Sequence, residues 1–437
     1  MDYLSHINLK NWLDRFEKVF TVLSLFLYSA ALLPVVLTGG ASEGDGFDLS
    51  TADFTLNRLC FLLNYLTVTA LLALRWRKTI QFLNGHYLFF ALMALLPISY
   101  FWSAMPDQTI AASMRMIGTT FFGIYLASRF TLREQLRLIC YMFGLSIVLS
   151  IFFIILLPKY GVMGGVHAGS MRGIYTHKNM FGKAMVLSVA AFLIYAKSAR
   201  PGNWWPWVGV GSSFALVILS DSSSSLLNGI MLMSIVLSTQ VIQLRGKDLI
   251  FSLLLLAAVI FALTQWFLPM AQAVVEALGK DMTLTGRTDI WPMSLAKIQE
   301  RPWLGYGFNG FWHGLNGESL DMILAVRWRV PSSHNGFLDL WLDLGFVGFS
   351  LFFLLLWNSI IKIVFILRHQ FNWVYVWPLA LLVYTVIVNL TETALISQNS
   401  LGWVLFIAVT LSVNCDFERL TRGVDLWSSD SRWAIDS

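Results

Sequence analysis

The chain has 437 residues, of which 57% are hydrophobic and only 13% are charged, whereas about a quarter of the residues of a soluble globular domain carry charge. Its 18 tryptophans and 33 phenylalanines suit segments that cross a bilayer and anchor at its interfaces. The composition therefore predicts an all-α, polytopic membrane protein, and the net charge of +5 does not indicate a nucleic-acid partner.

Twelve apolar segments approach the roughly 20 residues that a membrane-spanning helix needs. We expect them to form one integral membrane domain over residues 1–437, with the first run retained as a span because no A-x-A cleavage site follows it. The polar stretch "SDSSSSLLNG" separates the seventh and eighth segments, which are either two helices or one re-entrant hairpin. The segments are 19–38, 57–74, 86–104, 109–128, 136–157, 179–197, 204–220, 223–242, 249–268, 345–367, 373–391 and 399–415.

The distribution of cations predicts how these segments are oriented. Loops rich in Lys and Arg favour the cytoplasm, and a cytoplasmic N-terminus puts the clusters at 10–18, 75–78, 129–137 and 419–432 on that side. The first external loop, 38–54, then carries acidic residues and no cation. With twelve spans, both termini are predicted to be cytoplasmic.

Two external regions nevertheless hold most of the remaining cations. An anionic ligand at the outer face would explain them, and arginine suits phosphate because its planar fork donates two parallel hydrogen bonds. The alternative is that long loops cross the membrane largely regardless of charge and that some of these cations contact lipid headgroups. We favour this alternative for Lys159, Lys280, Lys297 and Arg301, and the ligand interpretation for Arg172, Lys178 and Arg287. The two regions are 158–183 and the large loop 269–335, predicted to be periplasmic.

The large loop contains "TLTGRTDIWPMSLAKIQERPWLGYGFNGFW". Thr288 or Asp289 is predicted to cap an amphipathic interfacial helix that ends before Pro302. Its apolar stripe is Trp291, Leu295 and Ile298, with Ser294, Lys297 and Gln299 facing elsewhere. Arg287 then lies at the helix N-terminus, where free backbone N–H groups favour an anion. The following G-x-G-x-x-G (Gly305, Gly307, Gly310) lacks a βαβ context, so we interpret it as a tight turn.

Two further external stretches carry polar groups. In "GGVHAGSMRGIYTHKNMFGKAM" (164–185) Thr176 or Asn179 is predicted to cap the sixth span, which would let Arg172, His177 and Lys178 face one outer vestibule. In "VPSSHNGFLDLWLDLGFVGF" (330–349) His334 and Asn335 stand at a membrane entry. Asp339 and Asp343 follow at i and i+4 on one helix face.

Together these motifs carry a resemblance. "GRTDIW…RPWLGYGFNGFW" followed by "HNGFLDLWLDLGFVG" resembles the O-antigen ligase and polysaccharide polymerase superfamily, and "RGIYTHKNMFGKAM" with "SDSSSSLLNG" resembles its exopolysaccharide-polymerase branch. The resemblance covers residues 170–350. One departure is that the serine-rich block lacks the arginine that some relatives carry, so no phosphate role is expected of spans seven and eight.

The resemblance implies a metal-independent glycosyltransferase, without a cofactor, at the periplasmic face of a bacterial inner membrane. Its donor would be an undecaprenyl-diphosphate-linked oligosaccharide and its acceptor a sugar hydroxyl on another glycan. Carried onto this chain, Arg172 and Arg287 would hold the diphosphate and His334 would activate the acceptor. Membrane lipids and other polysaccharide-assembly proteins are the expected further partners. The branch favours a polymerase over a ligase, and that choice stays open here.

The residues support this chemistry independently. Arginines stabilise a departing diphosphate without a metal, and histidine is the side chain that ordinarily serves as a general base near neutral pH, which makes His334 the candidate base. Asp339 is predicted either to orient the imidazole or to pair with Arg327 or Arg329. Lys178, His177 and Asn335 are candidate substrate-binding residues. The external face has no D-x-D pair, so metal-bridged nucleotide-sugar chemistry is not expected.

Two other classes of protein fit part of the pattern. A transporter or flippase of lipid-linked saccharides would also have external cations and twelve spans, although we find no internal repeat and few charges within the spans, Arg115 being the main one. A non-catalytic polysaccharide-assembly subunit is the third reading.

Overall fold

The computed structural model describes residues 2–41, 53–239, 287–327, 330–390 and 392–423, with the side chains of 2–10, 166 and 287–289 outside the description. In these residues the chain is helical, with one isolated bridge between Val162 and Met171. The helices are α1 (Asp2–Tyr28), α2 (Leu33–Leu37), α3 (Thr55–Leu74), α4 (Trp76–Leu83), α5 (Tyr87–Ile98), α6 (Pro106–Arg129), α7 (Leu132–Leu156), α8 (Pro158–Gly161), α9 (Lys178–Ser198), α10 (Trp205–Leu219), α11 (Ser223–Ser238), α12 (Arg287–Glu300), α13 (Leu320–Val326), α14 (Gly336–His369), α15 (Val376–Asn389) and α16 (Leu401–Thr421).

Six of the described helices are long and apolar enough to cross a membrane, namely α3, α6, α7, α9, α14 and α16. A seventh span results if α4 and the helix continuing from α5 to Trp102 count as one, although they are bent by 104°. Helices α10 and α11 and the segment 373–389 are apolar but shorter. The all-α, polytopic prediction is confirmed, whereas twelve spans remain a prediction, since 249–268 lies outside the described residues.

The first predicted span, 19–38, differs from the structure. Helix α1 ends at Tyr28, and Ala30 and Leu32 adopt φ values of 54° and 63° before α2 begins. Pro34 lies in the first turn of α2, where its missing N–H costs nothing, whereas within a continuous helix it would break the hydrogen-bond ladder. The apolar run therefore forms two helices.

Opposite ends of the helices are fixed by different contacts. At the elbow end, defined by residues 84–86 between α4 and α5, the fully buried Glu17 of α1 pairs with Arg75 and Arg129. At the loop end, defined by residues 301–335, the backbone of Phe308 bonds to Ser99 (2.9 Å) and Thr109 (2.8 Å). A buried carboxylate is tolerated only when it is paired in this way.

The predicted interfacial helix exists as α12, but it faces differently from the prediction. Ile290, Ser294 and Ile298 are buried, whereas Leu295 is 48% exposed. The buried face has the i, i+4, i+8 spacing of one helix stripe, and it packs in a small core with Tyr306 and Leu342. The prediction was therefore wrong at two of its three positions: Ile290 and Ser294 are buried where Trp291 and Leu295 were expected to be. The reason is that α12 packs on the loop and on α14.

The glycine-rich turn is confirmed as a place of close backbone approach. Gly305 has φ 66°, and a Cβ there would lie 2.4 Å from the carbonyl oxygen of Leu342. The N–H of Tyr306 donates to the same oxygen at 2.8 Å. Helix α14 is kinked at Gly345, whose φ is 63°, and Asp343 accepts a hydrogen bond from the Asn309 N–H at 2.9 Å. The turn thereby fixes the large loop against α14.

Candidate active site

His334 lies in a turn, residues 332–335, that immediately precedes α14. Its φ is 54°, a left-handed conformation that costs a non-glycine residue roughly 1–2 kcal/mol. Neighbouring Ser333 is buried and held from both sides, since its N–H donates to Asp339 Oδ1 at 3.0 Å and its carbonyl accepts from Trp291 Nε1 at 3.0 Å. The imidazole itself belongs to a half-buried residue. The fold therefore holds His334 in a strained turn by its backbone.

Asp339 is 6% exposed, and its carboxylate organises this turn. Besides the Ser333 N–H it accepts hydrogen bonds from Trp312 Nε1 (2.9 Å) and from the Thr393 hydroxyl (2.5 Å). The described contacts show Asp339 holding the backbone of Ser333, next to His334. Arg329 lies outside the described residues, so both sequence-based alternatives for Asp339, orienting the imidazole or pairing with an arginine, stay predictions. Three donors compensate for burying the carboxylate.

Asn335 is the N-cap of α14. Its Oδ1 accepts from the N–H groups of Phe337 (3.0 Å) and Leu338 (3.3 Å), which satisfies two otherwise unpaired donors of the first helical turn. The expected start of the helix near Gly336 is confirmed. Because its oxygen is occupied, the predicted contact of Asn335 with a sugar is confined to its amide NH2 group.

Arg172 has a different place from the one predicted. It is only 1% exposed, and its guanidinium donates to the carbonyls of Tyr160 (2.8 Å), Lys159 (3.1 Å), Thr176 (3.4 Å) and Gly40. These bonds close the segment between α8 and α9 around the side chain. The expectation that Arg172 faces an outer vestibule and clamps a diphosphate is therefore corrected: its donors hold the loop backbone.

His177 is the N-cap of α9, where the sequence had suggested Thr176 or Asn179. Its Nδ1 accepts from the Asn179 N–H at 3.1 Å. Burial lowers the pKa of His177 to about 4, and His167, Lys178 and Lys183 act in the same direction while Glu392 opposes them. At neutral pH the imidazole is thus uncharged, with its other nitrogen protonated as a donor.

Lys178 is paired with the serine-rich turn between α10 and α11. Its Nζ lies 3.3 Å from Asp221 Oδ2 and 3.0 Å from the Asp221 carbonyl, and the Ser222 hydroxyl donates to Asn179 Oδ1 at 3.0 Å. The turn therefore docks on the start of α9. Helices α10 and α11 are separate elements, and both are shorter than the helices that could cross a membrane, so the choice between two spans and a re-entrant hairpin stays a prediction.

A segment that the sequence analysis did not assign to the site connects the start of α9 with the start of α14. Residues 392–400 enter between α15 and α16, and Glu392 Oε2 lies 3.6 Å from Lys183 Nζ. The Glu392 carbonyl accepts from the Gly336 N–H at 3.0 Å. The start of α9 and the start of α14 thus share Glu392. The sequence feature that could have identified Glu392 is its carboxylate between two apolar runs.

The same segment continues to a polar cluster on α6. Gln398 Oε1 accepts from Arg115 Nε at 2.8 Å, and the Asn399 N–H donates to the Thr119 hydroxyl at 2.9 Å. Arg115 is the charged residue that stood out within a predicted span. A charge at such a position is costly and indicates function or a specific partner.

The remaining candidate cations belong to the large loop, and some of them lie outside the residues that the structure describes. Arg287 is the first described residue of α12. Its side chain and Lys280 lie outside the described residues, so its expected place at a helix N-terminus stays a prediction. Two of the cations for which no ligand was expected lie near acids, Lys297 near Glu300 at 3.1 Å and Arg301 near Glu318 at 3.9 Å. Among the described residues no three His, Cys, Asp or Glu side chains converge as a metal site.

Comparison with known proteins matches the part of the chain that carries these groups. Residues 179–353, from the first turn of α9 into α14, match the family model described as O-antigen ligase. Over 291 residues the chain is 23% identical to the exopolysaccharide production protein ExoQ of Rhizobium meliloti (strain 1021). The aligned residues make up 63% of this chain and 65% of that protein. The aligned region thus spans just under two thirds of this relative's length.

Proposed function

Because residues 179–353 match the O-antigen ligase family and the chain is similar to an exopolysaccharide production protein, we propose that it is a membrane glycosyltransferase that extends exopolysaccharide or O-antigen-like chains. The donor is an oligosaccharide on undecaprenyl diphosphate and the acceptor is a sugar hydroxyl of another glycan. The protein lies in a bacterial inner membrane with both termini cytoplasmic and the His334 turn periplasmic. The assignment of sides follows the cation distribution.

The observation that carries this proposal is the turn that holds His334. Two hydrogen bonds hold the backbone of the buried Ser333, which places the half-buried His334 beside the start of a membrane helix. There an acceptor hydroxyl arrives from water while the donor's diphosphate stays at the lipid surface. His334 takes the proton of the hydroxyl as its oxygen attacks the anomeric carbon, and the bond from that carbon to the phosphate oxygen breaks.

The departing undecaprenyl diphosphate retains the electron pair and needs positive charge nearby. We assign that role to Arg287, at the N-terminus of α12, where the helix dipole also favours an anion. The N–H of neutral His177 supplies a further donor. Lys183 contributes charge that Glu392 partly balances at 3.6 Å. No step in this scheme requires a metal, because these groups offset the charge that develops.

A transporter of lipid-linked saccharides remains the second candidate, and one observation favours it. The segment 392–400 interrupts two apolar helices and brings Gln398 and Asn399 to α6, and transporters place polar sites at such interruptions. A flippase needs no base, however, so it does not require a histidine held in a strained turn.

The test uses His334→Gln and His334→Ala in proteoliposomes that contain lipid-linked repeat units on the outer leaflet. The proposal expects a well-expressed protein that binds the donor and forms no product. Gln retains much of the side-chain volume, so a folding defect confined to Ala is distinguishable from loss of the base. Normal product formation by both variants would refute the assignment. Transport of the donor by His334→Ala with unchanged rate would favour the flippase.

Polymerase and ligase are separated by deleting the gene and analysing glycans. Accumulation of single lipid-linked repeat units identifies a polymerase. Accumulation of full-length lipid-linked polymer identifies a ligase.

A further inference from the structure

A cavity of about 520 Å³ lies at the elbow end, away from the His334 turn. It is bounded by the bend between α4 and α5 on one side and by the last turns of α16 on the other. Its volume is in the range of small-molecule pockets. Its titratable lining residues include Lys78, His86, Tyr87, Glu418, Arg419 and Arg422.

Arg419 is the central group in this cavity. The residue is only 9% exposed, yet it lines the cavity wall. Within the part of the chain that the structure describes, no acidic side chain forms an ion pair with it, and no hydrogen bond from its guanidinium is found there. The side-chain nitrogens of Arg419 are accessible from the cavity rather than buried, so they are available there to an anion.

The surrounding charges have the same sign. Lys78 on α4 and Arg422 on α16 add two cations, whereas Glu418 is the acidic residue of the lining. Glu418 lies 3.8 Å from Arg422, and the two side chains are 44% and 76% exposed, so water screens that pair. The lining has a positive excess at neutral pH.

The polar part of the wall is fixed and uncharged. The side chain of Asn414 lies 2.8 Å from His86 Nδ1 and accepts a hydrogen bond from Lys362. Burial lowers the pKa of His86 to about 4, with Lys362 acting in the same direction. His86 is therefore neutral near pH 7, and the positive field comes from the lysine and arginines. The rings of Phe82 and Tyr87 complete the wall with apolar surface.

We propose that this elbow-end cavity binds a phosphate-bearing anion, with Arg419 as its principal ligand-binding residue. The planar guanidinium suits two phosphate oxygens at once, Lys78 and Arg422 offset the second charge, and the two rings contact the organic part. The phosphate belongs either to a soluble ester or to the headgroup of an anionic lipid. This site is separate from the proposed transfer reaction and does not depend on it.

The experiment compares Arg419→Ala with Arg77→Ala in the purified full-length protein. Arg77 is an exposed arginine on the same short helix as Lys78 and does not line the cavity. Pyrophosphate is titrated calorimetrically as the soluble probe. In parallel, thermal unfolding is compared in phosphatidylcholine vesicles with and without phosphatidylglycerol.

For a soluble ligand we expect pyrophosphate to bind, and Arg419→Ala to weaken that binding by about tenfold or more, with Arg77→Ala near wild type. For a lipid headgroup we expect stabilisation by phosphatidylglycerol that Arg419→Ala loses and Arg77→Ala keeps. If Arg419→Ala does not fold, Lys78→Ala replaces it, because that exposed side chain tolerates truncation and should weaken the same interaction severalfold.

Equal responses of the cavity variants and Arg77→Ala to both probes would overturn the proposal. A chain that ends at residue 423 provides the last comparison, since residues 424–437 contain three aspartates. Pyrophosphate binding that appears only in this shortened chain would mean that the acidic tail supplies the anion, which would also overturn the proposal.

Discussion

The hydrogen bond from Trp291 to the carbonyl of Ser333 gives a sharp test of how the fold positions His334. Trp291→Phe retains an aromatic ring and removes the single Nε1–H donor, which lies 3.0 Å from that carbonyl. Such a bond contributes about 0.5–1.5 kcal/mol. Since 1.4 kcal/mol corresponds to about a tenfold change in rate, turnover should fall by about twofold to tenfold if the bond restrains the turn.

The assay measures kcat and KM for chain extension in proteoliposomes. Because the donor's diphosphate is held elsewhere, kcat should fall while KM for the donor stays unchanged. In a His334→Ala background, the second substitution should have no further effect on residual transfer, since there is no base left to position.

The matched control is Trp102→Phe, which loses an equivalent bond from Nε1 to the carbonyl of Leu304 at 2.9 Å. The Trp102 bond holds Leu304 and not a residue of the His334 turn, so its variant should keep wild-type kcat. Equal loss of activity in both variants would assign the effect to general destabilisation. Unchanged kcat in Trp291→Phe would refute the positioning role.

Three further predictions follow from the charges and the topology. Arg287→Ala should lower turnover by about a hundredfold without loss of expression, whereas Arg172→Ala should lower the melting temperature, because its donors hold four backbone carbonyls; the reverse pattern would exchange their roles. The pKa of His177 is lowered to about 4, so its contribution to the free energy of unfolding is complete above about pH 6.5 and is lost as pH falls towards 4. His177→Asn keeps a cap acceptor and should therefore lose less melting temperature than the wild type between pH 7 and pH 5. An equal loss in the two proteins would contradict this. In a chain without native cysteines, Leu315→Cys should react with an impermeant thiol reagent from the periplasm and Pro201→Cys should not; the opposite labelling would invert the topology.

Local sequence determined many elements of this protein correctly. Apolar runs give membrane helices because lipid offers no partner for backbone N–H and C=O groups, which a helix satisfies internally. The start of α14 was predictable because an N-cap bonds to donors two or three residues away. The turn at Gly305 followed from glycine's access to positive φ. The motifs also predicted the similarity to the O-antigen ligase family that residues 179–353 show.

Only the tertiary structure decided which polar groups belong together. Arg172 and Arg287 looked alike in sequence, yet the loop closes around Arg172, whose donor to Gly40 spans 132 positions of the chain. Glu392 reaches Lys183 and Gly336 because α15 returns the chain to the loop end. Ser333 is held by Trp291, which lies 42 residues earlier. A hydrogen bond depends on proximity in space, and these distant pairings are fixed by helix packing rather than by local pattern.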